Sequence, residues 1–334
     1  MLIFRLRVSA IQQLCAITAL GSCLWTAPCH ASEGGASFYL LGGSGPGAAV
    51  MPPVEGVFFD DTVYIYDGKA QADREFVIGG NVVAGAHATL VADFGTIMWV
   101  PTTNFLGGTL ALSASLPVGA PMVGVTAVVS GPGGGSASIS RHDSALLVGD
   151  PVGAVLLGWK AGKLHFQGSA TVNVPVGNYR DGQLANVSFN RWIVDSSFAA
   201  TWNDPKAGWD ISAKAGFTFN GENPATDYKT GTEFHLEGAV EKTLSPAFSA
   251  GIQSYYFKQV SGDSGAGAAL GPFKGEAAAL GATAALNVKM GGVPATFRVR
   301  AFKEFDVTNR LKGEAYFLSL TLPLSLNIPE SAAE

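Results

Sequence analysis

The chain has 334 residues, 43 of them glycine, and 14% are charged, against about 25% in an average soluble domain. A hydrophobic fraction of 47% excludes a disordered chain, which combines low hydrophobicity with high charge. The formal net charge of −5, with no run of Lys or Arg to offer phosphates a cationic stripe, argues against nucleic acid as a partner.

Residues 1–31 read as a secretory signal peptide. Arg5 and Arg7 form the positive n-region, Val8 to Trp25 is mostly apolar, and Cys29-His30-Ala31 places small residues at −3 and −1 of a cleavage site. A rival reading takes Leu20-Gly21-Ser22-Cys23 as a lipoprotein box, with lipidation at Cys23. All three cysteines (Cys15, Cys23, Cys29) lie in this segment, so the exported chain carries no disulfide and no thiolate metal site. Residues 32–54 follow as an N-terminal periplasmic or plug segment. It is rich in Gly and Ala, and its small side chains suit entry into an enclosed interior.

From Glu55 onward the dominant signal is a period of two. Elements between Glu75 and Pro101 are ambiguous, and Gly131 to Gly149 reads as a long connection whose Gly-Pro-Gly-Gly-Gly start is a surface loop. It is not a phosphate cradle, because the Lys-Ser/Thr and helix of a P-loop do not follow. Leu164, Phe166, Gly168, Ala170 and Val172 then alternate with His165, Gln167, Ser169, Thr171 and Asn173. Trp209, Ile211, Ala213, Ala215, Phe217 and Phe219 alternate with Asp210, Ser212, Lys214, Gly216, Thr218 and Asn220. Leu280, Ala282, Ala284 and Leu286 repeat the pattern, as do Tyr316, Leu318, Leu320 and Leu322. Such alternation puts each set on one face of a strand.

Strand length separates a membrane barrel from a soluble sandwich. These elements run about 10 to 14 residues, as a tilted spanning strand requires, whereas soluble strands average about 5 to 6. Aromatic residues near strand ends (Trp159, Trp202, Trp209, Phe217, Phe219, Tyr255-Tyr256-Phe257) suit interfacial girdles. Connections alternate short (Ala161-Gly162, Asn203 to Ala207, Leu244 to Pro246, Gly291-Gly292) and long (Val176 to Asn190, Gly221 to Gly231, Ser261 to Lys274), the asymmetry of periplasmic turns and outer loops. Asp306 to Asn309 is short although its parity makes it outer. The expected fold class is therefore all-β: an antiparallel up-and-down transmembrane barrel of 12 to 14 strands over residues 55–324, with 325–334 as a C-terminal tail. Its expected location is the outer membrane of a Gram-negative bacterium.

Several motifs resemble the family labelled "putative meta-pathway of phenol degradation". Pro52-Pro53-Val54-Glu55-Gly56-Val57-Phe58-Phe59 is similar to its N-terminal PPG-x-YF element, although Val-Glu intervenes before Gly56. The resemblance continues through Asp150-Pro151, Leu157-Gly158-Trp159, Pro175-Val176-Gly177-Asn178-Tyr179 and Asn223-Pro224-Ala225-Thr226-Asp227-Tyr228 with Gly231. It ends with Gln259-Val260-Ser261-Gly262-Asp263 and Lys303-Glu304-Phe305. The resemblance implies an outer-membrane barrel that helps apolar or aromatic compounds cross. Implied partners are outer-membrane lipid, a small hydrophobic or aromatic ligand, and the barrel-assembly machinery during insertion; no cofactor is implied.

If apolar positions face lipid, parity aims Lys214, Glu233, His235, Glu237, Glu241, Arg298, Arg300 and Glu304 into the lumen, since charge on the lipid face costs about 2–4 kcal/mol for Arg or Lys at the midplane. They are the permeation candidates, or else Glu and Arg neutralise one another and brace the interior. His142-Asp143-Ser144 offers a base beside a nucleophile for a lipid hydrolase, but no orienting residue can be assigned. His87, His142, His165 and His235 share no metal-ligand spacing. A channel for small apolar compounds is the expected function, with a structural barrel without transport as its alternative.

Overall fold

The computed structural model describes residues 33–70, 75–78, 80–130, 136–272 and 274–327. The expected signal peptide and the lipidation alternative at Cys23 lie outside the described residues. Twelve long strands form the wall: β1 (Glu55–Lys69), β2 (Ala86–Phe105), β3 (Gly108–Ser130), β4 (Val152–Ala161), β5 (Leu164–Asn173) and β6 (Ile193–Asp204). The second half comprises β7 (Trp209–Asn220), β8 (Glu233–Ser245), β9 (Phe248–Gln259), β10 (Glu276–Met290), β11 (Val293–Thr308) and β12 (Lys312–Asn327). Each pairs antiparallel with its neighbours, and β12 returns to β1 in the register Val63↔Leu318 and Glu55↔Asn327, which closes the sheet. Closure satisfies the backbone groups that an open edge would leave unpaired in hydrocarbon. Among the described residues no helix is long and apolar enough to span a membrane.

The barrel has 12 strands, the lower end of the expected range. Ser136–Ser144 runs back down the outer half of β3 instead of forming a loop, and β4 takes over the inner half of the same 23-residue strand. Glu75–Ile78 and Asn81–Ala84 form a separate two-stranded hairpin outside the wall. The hairpin packs Phe76 and Ile78 against Ala86, Val123, Leu184 and Leu311 at the outer end. The last strand extends to Asn327, beyond the expected boundary at 324.

Side-chain direction follows the expected alternation. Ile211, Phe217, Leu280, Val299 and Leu318 are exposed on the outside, while Asp195, Thr218, Glu233, Glu237 and Arg300 are buried within. Trp99, Trp159 and Trp209 are exposed toward the end that carries the short turns, the inner girdle of a membrane barrel. Asp61 and Asp93 depart from the pattern. They pair across from Leu320 and Val63 and so share the outward phase of the sheet.

Tyr255 and Phe257 are also a correction. Both are buried inside the barrel, and of the three consecutive aromatics only Tyr256 has the outward phase. His142 and Ser144 lie on a strand edge paired to Gly124 and Met122, not in a glycine-rich loop.

Candidate functional site: the barrel lumen

The lumen has two dissimilar sides, with residues 33–53 between them. One side is polar and comes from β6, β7 and β8. Asp195 accepts hydrogen bonds from Ser197 Oγ (2.5 Å) and Thr218 Oγ1 (2.6 Å), and its Oδ2 lies 2.9 Å from His235 Nε2. The His235 ring stacks on Tyr39 at 3.5 Å with 10° between planes, and Lys214 Nζ lies 5.1 Å from the same tyrosine ring. Most of these buried polar groups satisfy one another, as burial requires, while His235 Nδ1 has no hydrogen-bond partner among the described residues.

The expected luminal charges do not form one continuous ladder. Arg298 pairs with Glu241 and also donates to Thr283 Oγ1 (2.8 Å). Arg300 instead donates to the carbonyl oxygens of Gly42 (3.1 Å) and Gly43 (2.5 Å), and to Ser319 Oγ (2.9 Å). Glu237 Oε1 accepts the Gly42 N–H at 2.7 Å. Glu304 accepts from the hydroxyls of Tyr66 and Tyr255 (3.1 Å each) and from Gly313 N (2.7 Å). Glu233 is buried near Asn220 Nδ2 (3.4 Å), with its Oε1 unpartnered. Two of the eight expected residues, Arg300 and Glu237, thus hold the backbone of the N-terminal segment.

That segment follows the barrel axis. Glu33 sits at the outer end, where its carboxylate pairs with Arg191 (3.0 Å) and accepts from Asn223 Nδ2 (3.1 and 3.2 Å) and Thr226 Oγ1 (2.9 Å). Farther in, Gly47 N donates to Asp210 Oδ1 and Ser212 Oγ (3.0 Å each), and Ala49 N donates to Thr201 Oγ1 (3.0 Å). Met51 Sδ meets Gln167 Nε2 at 3.0 Å. Gly42 has φ of +83°, and a Cβ there would lie 2.7 Å from the Phe302 ring, so only glycine fits. At the inner end a cavity of about 200 Å³ remains between the segment and the wall, lined by Pro46, Val50, Trp209, Asp210, Glu241 and Arg298.

The opposite side of the lumen is aromatic. Tyr255, Phe257, Phe302 and Phe317 cluster with Leu41, and Tyr64 and Tyr66 pack against them. Tyr64–Phe317 centroids are 4.9 Å apart, Tyr255–Phe302 5.3 Å and Phe302–Phe317 6.0 Å, tilted or edge-on, as ring quadrupoles prefer. A rule that sends apolar residues outward overlooks this wall. Phase was the available signal: Phe302 lies in step with Arg298, Arg300 and Glu304, and Phe317 with Ser319.

The motif residues gather mostly at the outer mouth and fasten its loops. Asp150 accepts from Asn173 Nδ2, Gly177 N, Ser188 Oγ and Phe189 N within 2.7–2.9 Å. Pro151 O accepts Val174 N (3.0 Å), and Pro175 lies just past the end of β5. Asp263 accepts from Tyr228 Oη (2.5 Å), Gln259 Nε2 (2.5 Å) and Gly231 N (2.9 Å). Burial raises the Asp263 pKa against these hydrogen bonds, and burial likewise raises that of the Tyr228 hydroxyl. Asn223 joins Tyr179 Oη (3.1 Å) to Glu33, and Asp227 supplies a carbonyl to Gly267 N (3.0 Å) from a left-handed backbone. Trp159 lies at the opposite end and donates to Leu106 O (3.1 Å). Ser144 and His142 gain no acidic partner in the described contacts. Among the described residues no three His, Cys, Asp or Glu side chains converge as metal ligands.

A closed antiparallel barrel with lipid-length strands, an apolar belt and a filled lumen is an outer-membrane barrel, and a solved structure shares the fold. The COG4313 outer membrane channel from Pseudomonas putida F1 superposes with a TM-score of 0.62 over 84% of this chain and 99% of its own, at 15% identity. Looser matches are a Pseudomonas aeruginosa FadL homologue (TM-score 0.41, 9% identity, 84% and 92% coverage) and the CymD monoaromatic hydrocarbon channel (0.42, 8%, 83% and 90%). No curated protein sequence matches the chain. The family model "Putative MetA-pathway of phenol degradation" matches residues 72–320, and the chain belongs to that family.

Proposed function

We propose that the protein is a non-catalytic outer-membrane channel that passes small apolar or aromatic compounds through its lumen, with residues 33–53 as a plug. The observation that carries this reading is the aromatic wall of Tyr64, Tyr66, Tyr255, Phe257, Phe302 and Phe317, on the inside of a barrel where a water-filled pore would have only polar groups. Family membership and the fold shared with an outer membrane channel support it. Glu237 and Arg300 fix the plug by its backbone, so a modest shift of the Gly42–Gly45 stretch opens a path along the rings. Outer-membrane lipid surrounds the belt, and the barrel-assembly machinery inserts it.

The test is uptake of labelled toluene by cells with an intact lipopolysaccharide leaflet, with and without the protein. The expected result is faster uptake with the protein, and faster again when residues 33–53 are deleted. Equal rates in all three would leave a structural barrel without transport.

A further inference from the structure

Leu40 and Leu41, with Phe38, Tyr39, Val50 and Met51, are the large apolar or aromatic side chains of a segment otherwise dominated by Gly, Ala, Ser and Pro. Leu41 is buried in the cluster of Tyr255, Phe257, Phe302 and Phe317, and Leu40 packs against its edge. The polar anchors of this stretch act on its backbone: Glu237 on Gly42 N, and Arg300, whose guanidinium lies 4.8 Å from the Phe317 ring centroid, on the Gly42 and Gly43 carbonyls. What the Leu41 side chain contributes is carbon surface alone.

The rings around it are poised for a guest. Their tilted and edge-on arrangement lets an inserted ring meet a face on one side and an edge on the other. The Tyr66 and Tyr255 hydroxyls both donate to Glu304, which directs them away from an occupant. A ligand bearing a hydroxyl would leave that group without a partner, which disfavours it by up to about a hundredfold, the limit for an apolar pocket that meets an added hydroxyl. A ring of six carbons is larger than the four-carbon leucine side chain, but an apolar cavity of about 150 Å³ suffices to bind benzene.

We infer that Leu41 is an internal stand-in for the transported compound: the Tyr255–Phe257–Phe302–Phe317 cluster is a binding subsite for a monocyclic aromatic hydrocarbon, and plug and ligand compete for it. This rests on the channel reading above and specifies its subsite and ligand class. Gly42 and Gly43, next to Leu41, are held by Glu237 and Arg300, so displacing the leucine loosens these bonds first.

The test compares the full chain with Leu41→Ala in matched detergent, titrated with toluene and with phenol. Removing the occupant frees the subsite, so Leu41→Ala binds toluene at least tenfold more tightly than the unmodified chain, and phenol more weakly than toluene. Adding Phe302→Ala abolishes the gain. In the unmodified chain, saturating toluene speeds hydrogen exchange at Gly42. Equal toluene affinity with and without Leu41, or a gain that survives Phe302→Ala, overturns the inference. If Leu41→Ala fails to fold, Leu41→Val is compared in its place, with a smaller gain in the same direction. Uptake without toluene binding at this cluster removes the subsite and leaves the channel; tightened binding without uptake keeps the subsite and removes the channel.

Discussion

Replacing Glu33 by alanine strands a cation. Arg191 is 3% exposed and Glu33 7%, with 3.0 Å between their charged atoms. Without the carboxylate, Arg191 keeps a 3.4 Å contact to Asn220 Oδ1 and the face of Phe189. Breaking a buried ion pair by removing one partner costs about 3–5 kcal/mol, a shift of roughly two to three and a half decades in an equilibrium constant at 1.36 kcal/mol per decade. The same substitution removes the acceptor of Thr226 Oγ1 and leaves Asn223 Nδ2 with Tyr179 Oη alone. That cost falls on the seated state of the outer plug end, so hydrogen exchange between Ser37 and Gly42 accelerates by about that factor. Exchange at Gly47 and Ala49, held by Asp210 and Thr201, separates two outcomes. Acceleration there means the segment leaves as one unit; protection there confines the loss to the outer half. Glu33→Gln keeps the shape and loses the charge, and gives a smaller effect of about 1.5–3 kcal/mol. Unchanged exchange over Ser37 to Gly42 in Glu33→Ala refutes the idea that this carboxylate pins the plug.

Other consequences are equally open to measurement. Arg298→Ala removes the partner of Glu241 beside the inner cavity and raises single-channel conductance in planar bilayers; unchanged conductance denies the residue a part in the constriction. Leu318→Arg puts a cation on the lipid face and costs about 2–4 kcal/mol in urea unfolding if it lies near the midplane, while Asp93→Leu stabilises the barrel by about 1 kcal/mol through removing an outward charge. Asp263 binds its proton more tightly in the folded loop than at the unfolded value of 3.8, because burial disfavours the charged form. Its penalty is therefore fully present above the folded pKa and is relieved as pH falls through that value toward 3.8. Limited proteolysis of the Tyr228 and Asp263 loops should slow over this window, and Asp263→Asn should flatten the trend.

The wall was legible because lipid and lumen impose opposite demands on successive residues. Ile211, Leu280 and Leu318 announced the outside, and Glu237, Arg300 and Glu304 the inside. What those inward charges hold was not legible. Gly42 lies 195 residues from Glu237 and 258 from Arg300, and it offers only backbone atoms, which leave no pattern in side chains. Tyr255-Tyr256-Phe257 defeats a parity argument because three adjacent aromatics contain no alternation, and a girdle explains them as readily as a lumen. The strand count was legible only as 12 to 14 for another reason. β3 continues past the rim, and its outer and inner halves have different partners, so one strand presents the sequence signature of two.

The placement of Glu33 and Glu55 at opposite ends of the cylinder constrains how the molecule is made. With the outer mouth bound by the Asp150 and Asp263 loops, a finished ring offers no easy entry for a chain studded with Tyr39, Leu40 and Leu41. Entry after closure is therefore left to the inner end, where short turns and a gap of about 200 Å³ beside Pro46 and Val50 leave room. Stopper and vessel are one polymer, tied together at that inner rim.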